Sequence, residues 1–163
     1  MFMEKKEHII SLLVRNKPDV LARVAGILGG KGFNIETLCV DVTMNPEISK
    51  IILTTIGTKE TVTKIEKQLG RLIDVLQVED LTEAESIKRE MILVRMNLTE
   101  ENKNELIRSI NKLNCKILSF NSDHCVLEYT GVKEEIEQVL STLMPLGIDD
   151  IARTGIAALE RKN

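Results

Sequence analysis

The chain has 163 residues, enough for one ordinary domain or two small ones of about 80 residues each, and its hydrophobic fraction of 43% can fill a core. A net charge of −3 lacks the basic face that a nucleic-acid binder needs to neutralise phosphates. Aromatics at 2% (Phe2, Phe33, Phe120 and Tyr129, with no Trp) argue against recognition by stacked bases. Apolar runs such as Met91 to Val94 fall far short of the ~20 residues of a membrane span. The N-terminus has lysines but only a brief apolar run and no small-residue cleavage site, so no signal peptide is expected and the location expected is cytoplasmic. Cys39, Cys115 and Cys125, odd in number and widely spaced, fit reduced apolar residues better than a disulfide set.

In chain order, residues 9–14 (IISLLV) read as a β-leaning apolar run. Asn16 then offers a helix cap and Pro18 a first helical residue, with Leu21, Val24, Ala25 and Leu28 as the inner stripe. Gly29, Gly30 and Gly32 stop that helix. Ile35 to Val42 alternates as a strand, with Leu38, Val40 and Val42 on one face. After the turn Met44-Asn45-Pro46-Glu47 comes a strand over Lys50 to Ile56, and Thr58 starts a helix striped by Val62, Ile65, Leu69 and Leu72. Asp74 to Leu81 closes the first half as a strand, and the polar, acidic segment Thr82 to Lys88 reads as a linker.

The same rhythm then repeats. Met91 to Leu98 is a strand, and Thr99 caps a helix bearing Leu106, Ile107, Ile110 and Leu113. Cys115 to Phe120 and Cys125 to Tyr129 flank the turn Asn121-Ser122-Asp123, and Lys133 to Leu143 is a helix. A last strand runs from Ile148 to about Leu159, its apolar pattern interrupted at Arg153-Thr154-Gly155. The fold class is therefore α+β: two tandem ferredoxin-like (βαββαβ) modules, dividing at residues 1–82 and 83–163. Each is expected to have one uncovered sheet face, which favours dimerisation.

Fold alone does not give function. No CxxC or His/Cys cluster suggests a metal. Cys125 and the adjoining His124 point to opposite faces of a strand and cannot easily act together. Arg15 with Asn34 offers an acylphosphatase-like reading on two residue types only, and no catalytic residue is assigned. The glycines at 29–32 close a helix, where the dipole is negative, so they do not form a phosphate cradle. One constellation remains. The loop Arg15 to Leu21 brings free N–H groups to a helix start, and Gly32 to Ile35 brings an amide to a strand start, the two being expected as near neighbours. Helix N–H groups can hold a carboxylate, the carbonyls of Asn16 and Asn34 can accept from an ammonium, and Val20, Leu21 and Ile35 can enclose an aliphatic side chain. The residues alone leave two readings open: a capped helix with a turn, or a cradle for a free amino acid.

Four stretches carry a resemblance: NKPDVLARVAGILGGKGFNIETL at 16–38, KQLGRLIDVLQVEDL at 67–81, REMILVR at 89–95 and ARTGIAALER at 152–161. The N-terminal half resembles an ACT domain, and the whole chain is similar to the small regulatory subunits of acetolactate (acetohydroxyacid) synthase. The pair GFNIETL and RTGIAAL is the specific part of the match. The resemblance implies a non-catalytic homodimer with amino-acid sites between paired ACT domains at 1–82, and a second ferredoxin-like domain at 83–163. It implies a catalytic large subunit as partner, using thiamine diphosphate, Mg and FAD, with no cofactor in this chain. The small subunit would raise that partner's activity in branched-chain amino acid biosynthesis and confer feedback inhibition, usually by valine. Asn16 and Asn34 match effector-contacting asparagines, and Val20, Leu21 and Ile35 match pocket positions. A stand-alone ACT-type binding module regulating another enzyme is the alternative.

One position departs from the family pattern: Asp19 stands where ACT loops usually have glycine. Two like charges about 4–5 Å apart at an effective dielectric near 20 repel by roughly 3–4 kcal/mol. On that basis Asp19, counted among the effector-site residues, is expected to weaken or alter valine binding; the other reading keeps it as a favourable first-turn residue with ligand binding intact, its side chain turned away or holding the ligand ammonium.

Overall fold

In a computed structural model of the chain, which describes residues 5–161, two compact units are found: the described residues up to 88 together with those from 155 onward, and residues 89–154. The sequence division after residue 82 differs from these units at both ends of the second half.

The first unit has β1 (Lys6–Arg15), α1 (Val20–Gly30), β2 (Thr37–Val42), β3 (Ile48–Gly57), α2 (Lys59–Leu69) and β4 (Val75–Asp80). Its sheet has the order β2-β3-β1-β4, all neighbours antiparallel, so β2 is an edge strand. Strand alternation sends Ile10, Leu12 and Val14 of β1 to the helix-covered face. There they meet Val20, Val24 and Leu28 of α1 and Val62, Ile65 and Leu69 of α2. Thr58 caps α2, accepting from the Thr61 N–H, as its sequence position suggests.

The first helix departs from the sequence reading. Its N-cap is Asp19, and Pro18 lies in the preceding turn. The core stripe therefore begins at Val20, 2% exposed, and Leu21 turns outward at 38%. Residues spaced by four share a helix face, so Val20, Val24 and Leu28 make one continuous ridge. At the other end Gly32, at φ 76°, supplies the left-handed stop expected of the glycine run.

The outer face of this sheet is not bare. After Arg153 the chain passes Gly155 and forms β9 (Ala157–Glu160). Ile156 and Ala158, 6% and 5% exposed, pack there with Ile9, Ile52 and Leu81. Gly155, at φ 77°, lies so close to β2 that a Cβ would sit 3.2 Å from the Leu38 carbonyl oxygen. The single last strand expected over 148–159 is thus two strands broken at that glycine. The uncovered face expected for this module is partly covered by the chain's own C-terminal segment.

The second unit has most of β5 (Ser86–Asn97), then α3 (Lys103–Leu113), β6 (Lys116–Phe120), β7 (His124–Gly131), α4 (Lys133–Leu143) and β8 (Ile148–Arg153). Its sheet order is β6-β7-β5-β8, with β9 pairing β5 off that path. Ile92, Val94 and Met96 of β5 face Leu106 and Ile110 of α3 and Ile136, Val139 and Leu143 of α4. Ile107, expected inside, is 38% exposed. Glu90 is 2% exposed, and Arg153 answers it with two hydrogen bonds, Nε to Oε1 at 2.6 Å and Nη2 to Oε2 at 2.9 Å. A buried carboxylate without such a partner is costly, and the fork geometry of arginine is suited to it. Thr154 adds a backbone bond from its N–H to the Met91 carbonyl at 3.1 Å. The stretch Arg153 to Ala158 is thus read residue by residue: ion pair at Arg153, strand end at Thr154, close approach at Gly155, and apolar plugs at Ile156 and Ala158.

Two glycines separate crowding from mere helix propensity. Gly155→Ala is expected to cost about 1–3 kcal/mol through strain and the Leu38 contact. Gly26→Ala, on α1 with nothing within 4 Å of the added carbon, is expected to gain about 0.5–1 kcal/mol. Thermal unfolding of the two variants checks the opposite signs.

Candidate functional site

Asn16 follows β1 directly. Its backbone N–H donates to the Glu47 carbonyl at 2.8 Å and its side-chain amide to the Pro46 carbonyl at 3.0 Å, so it ties the helix-entry loop to the β2–β3 turn and does not cap α1. Asp19 occupies the N-cap with helical backbone angles and makes no side-chain cap. The first-turn N–H groups of Leu21 and Ala22 are left open there. Leu21 is exposed beside them, whereas Val20 points into the core and is corrected from a pocket position to a core residue.

Asn34 and Ile35 lie elsewhere. The Asn34 carbonyl accepts from Thr55 Oγ1 at 2.7 Å, and its side-chain amide donates to Glu36 Oε1 at 3.0 Å. Ile35 packs against the helix-side core. Thr55 stands opposite His8 in the β1–β3 ladder, while Ile48 stands opposite Arg15. From His8 to Arg15 is roughly 23 Å of strand. Asn16 and Asn34 are therefore at opposite ends of the sheet, not near neighbours as the sequence reading had them. The reason is topological: α1 carries the chain back along the sheet, so its two ends cannot meet. A free amino acid, whose backbone spans under about 4 Å, cannot touch both asparagines of one chain. The same separation removes the acylphosphatase-like pairing of Arg15 with Asn34.

The group that organises the helix-entry end is one that sequence reasoning missed. Asp74, 4% exposed, lies in the turn before β4. Its carboxylate receives Lys17 Nζ at 2.9 Å and Arg23 Nη1 at 3.2 Å, with Arg15 Nε at 3.9 Å. Its backbone carbonyl accepts from the Arg15 N–H at 2.8 Å. Nothing periodic marks Asp74 in the sequence, and only the close spacing of Arg15, Lys17 and Arg23 hints at a buried anion to serve them.

Arg23 also pairs with Asp19 one turn before it. That bond, followed by the Asp19 charge, raises the Arg23 pKa. Asp19 therefore has a counter-ion, and the unscreened repulsion of an effector carboxylate expected from the sequence loses its premise. The Lys17 hydrogen bond is the largest influence on Asp74 and holds its carboxyl below the usual range, against burial, with the charges of Lys17, Arg23 and Arg15 assisting. Elsewhere burial pushes the Cys115 and Cys125 thiols up, away from the reactive thiolate form.

A carboxyl with a lowered folded-state pKa contributes stability above its unfolded value and loses it as pH falls through the folded one. The stability gap between the wild-type chain and Asp74→Asn is accordingly expected to be full at pH 7 and to close in acid, below the ordinary aspartate value of about 4. Urea unfolding of both proteins across pH 2–7 checks this; a gap independent of pH contradicts it.

Residues 10–77 match the family described as AHAS small subunit-like ACT domain, and residues 89–162 match small subunit of acetolactate synthase. The chain is 39% identical over 160 residues to a probable acetolactate synthase small subunit of Methanothermobacter thermautotrophicus, covering 98% of this chain and 95% of that one. It is 36% identical to the acetolactate synthase small subunit of Aquifex aeolicus, covering 96% and 82%. The crystal structure of the small subunit from Thermotoga maritima superposes with a TM-score of 0.87 at 32% identity, covering 97% of this chain and 99% of that chain.

Proposed function

Given that the chain belongs to the family of acetolactate synthase small subunits, we propose that it stimulates a catalytic large subunit and makes it sensitive to a branched-chain amino acid, valine foremost. In this reading the chain has no catalytic residue of its own. Thiamine diphosphate, Mg and FAD belong to the partner, which condenses two pyruvates or pyruvate with 2-oxobutyrate. The setting is the cytoplasm, and the pathway is that of valine, leucine and isoleucine.

One observation carries the sensing part: the two asparagines stand at opposite ends of a sheet whose edge strand β2 is open. Leu38, Val40 and Val42 line that edge at 38%, 41% and 47% exposure. Val42 is level with Ser49, and Ser49 with Val14, so the far end of β2 lies at the helix-entry end. Two copies pairing antiparallel through β2, centred between Cys39 and Val40, would set Asn34 of the partner subunit opposite Asn45, close to Asn16 and the open N–H groups of α1. The separation that breaks a one-chain site builds two equal sites across a two-fold axis. The amino acid's carboxylate would meet Leu21 and Ala22 N–H groups, its ammonium the Asn16 and Asn34 side-chain carbonyls, and its side chain Leu21 and Ile35. An effector that favours one arrangement of the pair shifts the partner's activity by coupling, typically about 1–3 kcal/mol.

Acetolactate formation by the catalytic subunit is expected to rise on adding this chain and to fall again with valine, leucine or isoleucine. A stand-alone ACT module predicts no stimulation. Asn16→Ala and Asn34→Ala are each expected to abolish effector binding, yet dimers mixed from the two variants regain one intact site in two. A site held within one chain would give no recovery. Asp19→Gly is expected to change valine affinity by less than about threefold, since Arg23 already balances that charge.

A further inference from the structure

Among the described residues, the helix-entry loop is gripped by a single side chain from a distant part of the sequence. Arg15, Lys17 and Arg23 lie within nine positions of one another, and left to themselves three cations so close would spread apart. Asp74 draws all three inward, and its own carbonyl pins the backbone where the loop begins. Arg23 then reaches from Asp74 to Asp19 at the helix N-cap, so the same contact turns the Asp19 carboxylate along the helix and away from the open N–H groups. The cluster holds three cations and two carboxylates, leaving a single positive charge beside the uncapped start of α1.

We infer that Asp74 is a positioning residue of the effector site, setting the helix-entry loop so that the α1 N–H groups meet the carboxylate of the bound amino acid. The assignment rests on the sensing reading above, and Asp74 itself does not touch the effector. Removing its charge would release Lys17 and Arg23, free Asp19 to swing over the helix start, and loosen the N–H groups. The damage falls on the carboxylate end of the ligand, because the ammonium contacts come from Asn16, tied separately to the Glu47 and Pro46 carbonyls, and from Asn34 of the partner subunit.

Calorimetric titration of the full chain tests this with L-valine, L-leucine and L-isoleucine and their carboxamides, which keep the side chain and ammonium but lack the carboxylate. For the amino acid that binds the wild-type chain most tightly, Asp74→Asn is expected to weaken binding tenfold or more. Binding of its amide should change less than twofold. Lys17→Met is expected to show the same selective loss to a smaller degree, and the double variant should be no worse than Asp74→Asn alone. Should Asp74→Asn fail to fold, Lys17→Met and Arg23→Met, which remove half-exposed cations, carry the same expectation. Equal losses for acid and amide, or no loss, overturn the assignment. Absence of binding of all three amino acids by the wild-type chain instead removes the sensing reading beneath it.

Discussion

The constraint on which the rest depends is the path of α1. In a βαββαβ module the first helix must run back along the sheet before β2 can begin, so the residues entering the helix and those leaving it are separated by the sheet's length. Here that places Asn16 beside the β2–β3 turn and Asn34 beside Thr55, at the other end. The crossover also puts β2 on the edge, with Leu38, Val40 and Val42 partly exposed. An open, apolar edge invites another strand. The pairing proposed for that edge would also bring the two loops together.

Electrostatics at the helix-entry end follows from a burial problem. Asp74 is nearly sealed from solvent, and a carboxylate there needs cationic partners. Lys17, Arg23 and Arg15 supply them from the loop and first turn of α1, so satisfying one buried charge also fixes the loop. Asp19 is absorbed into the same network through Arg23. The second unit solves a like problem separately, with Arg153 forked onto the buried Glu90 and reaching Glu137 at 3.1 Å.

Much of the fold was legible because local signals agreed with the final packing. Lys133–Leu143 is a helix over the residues its periodicity marks, Thr58 caps where its position suggests, and Gly32 turns left-handed as a helix stop requires. What was not legible depends on distant partners. The helix register at Val20 rather than Leu21 follows from where the loop is tied, through contacts to Pro46 and Asp74 that spacing does not reveal. The segment after Gly155 reads as the tail of one weak strand, and only the sheet it covers explains its small and apolar residues. Asn16 reads as a helix cap and Asn34 as a strand start, yet both lie in loops, and chain order says nothing of which end of a sheet each loop occupies.

The two-chain site requires pairing through β2, and amide hydrogen exchange of the full chain tests that pairing most directly. At concentrations where sedimentation shows a dimer, the alternate N–H groups of Thr37–Val42 that face away from β3 should exchange as slowly as those of central strands, and speed up on dilution to monomer. Exchange of those same groups at the rate of exposed loops, in a chain that is demonstrably dimeric, would place the contact elsewhere and dissolve the two-chain site.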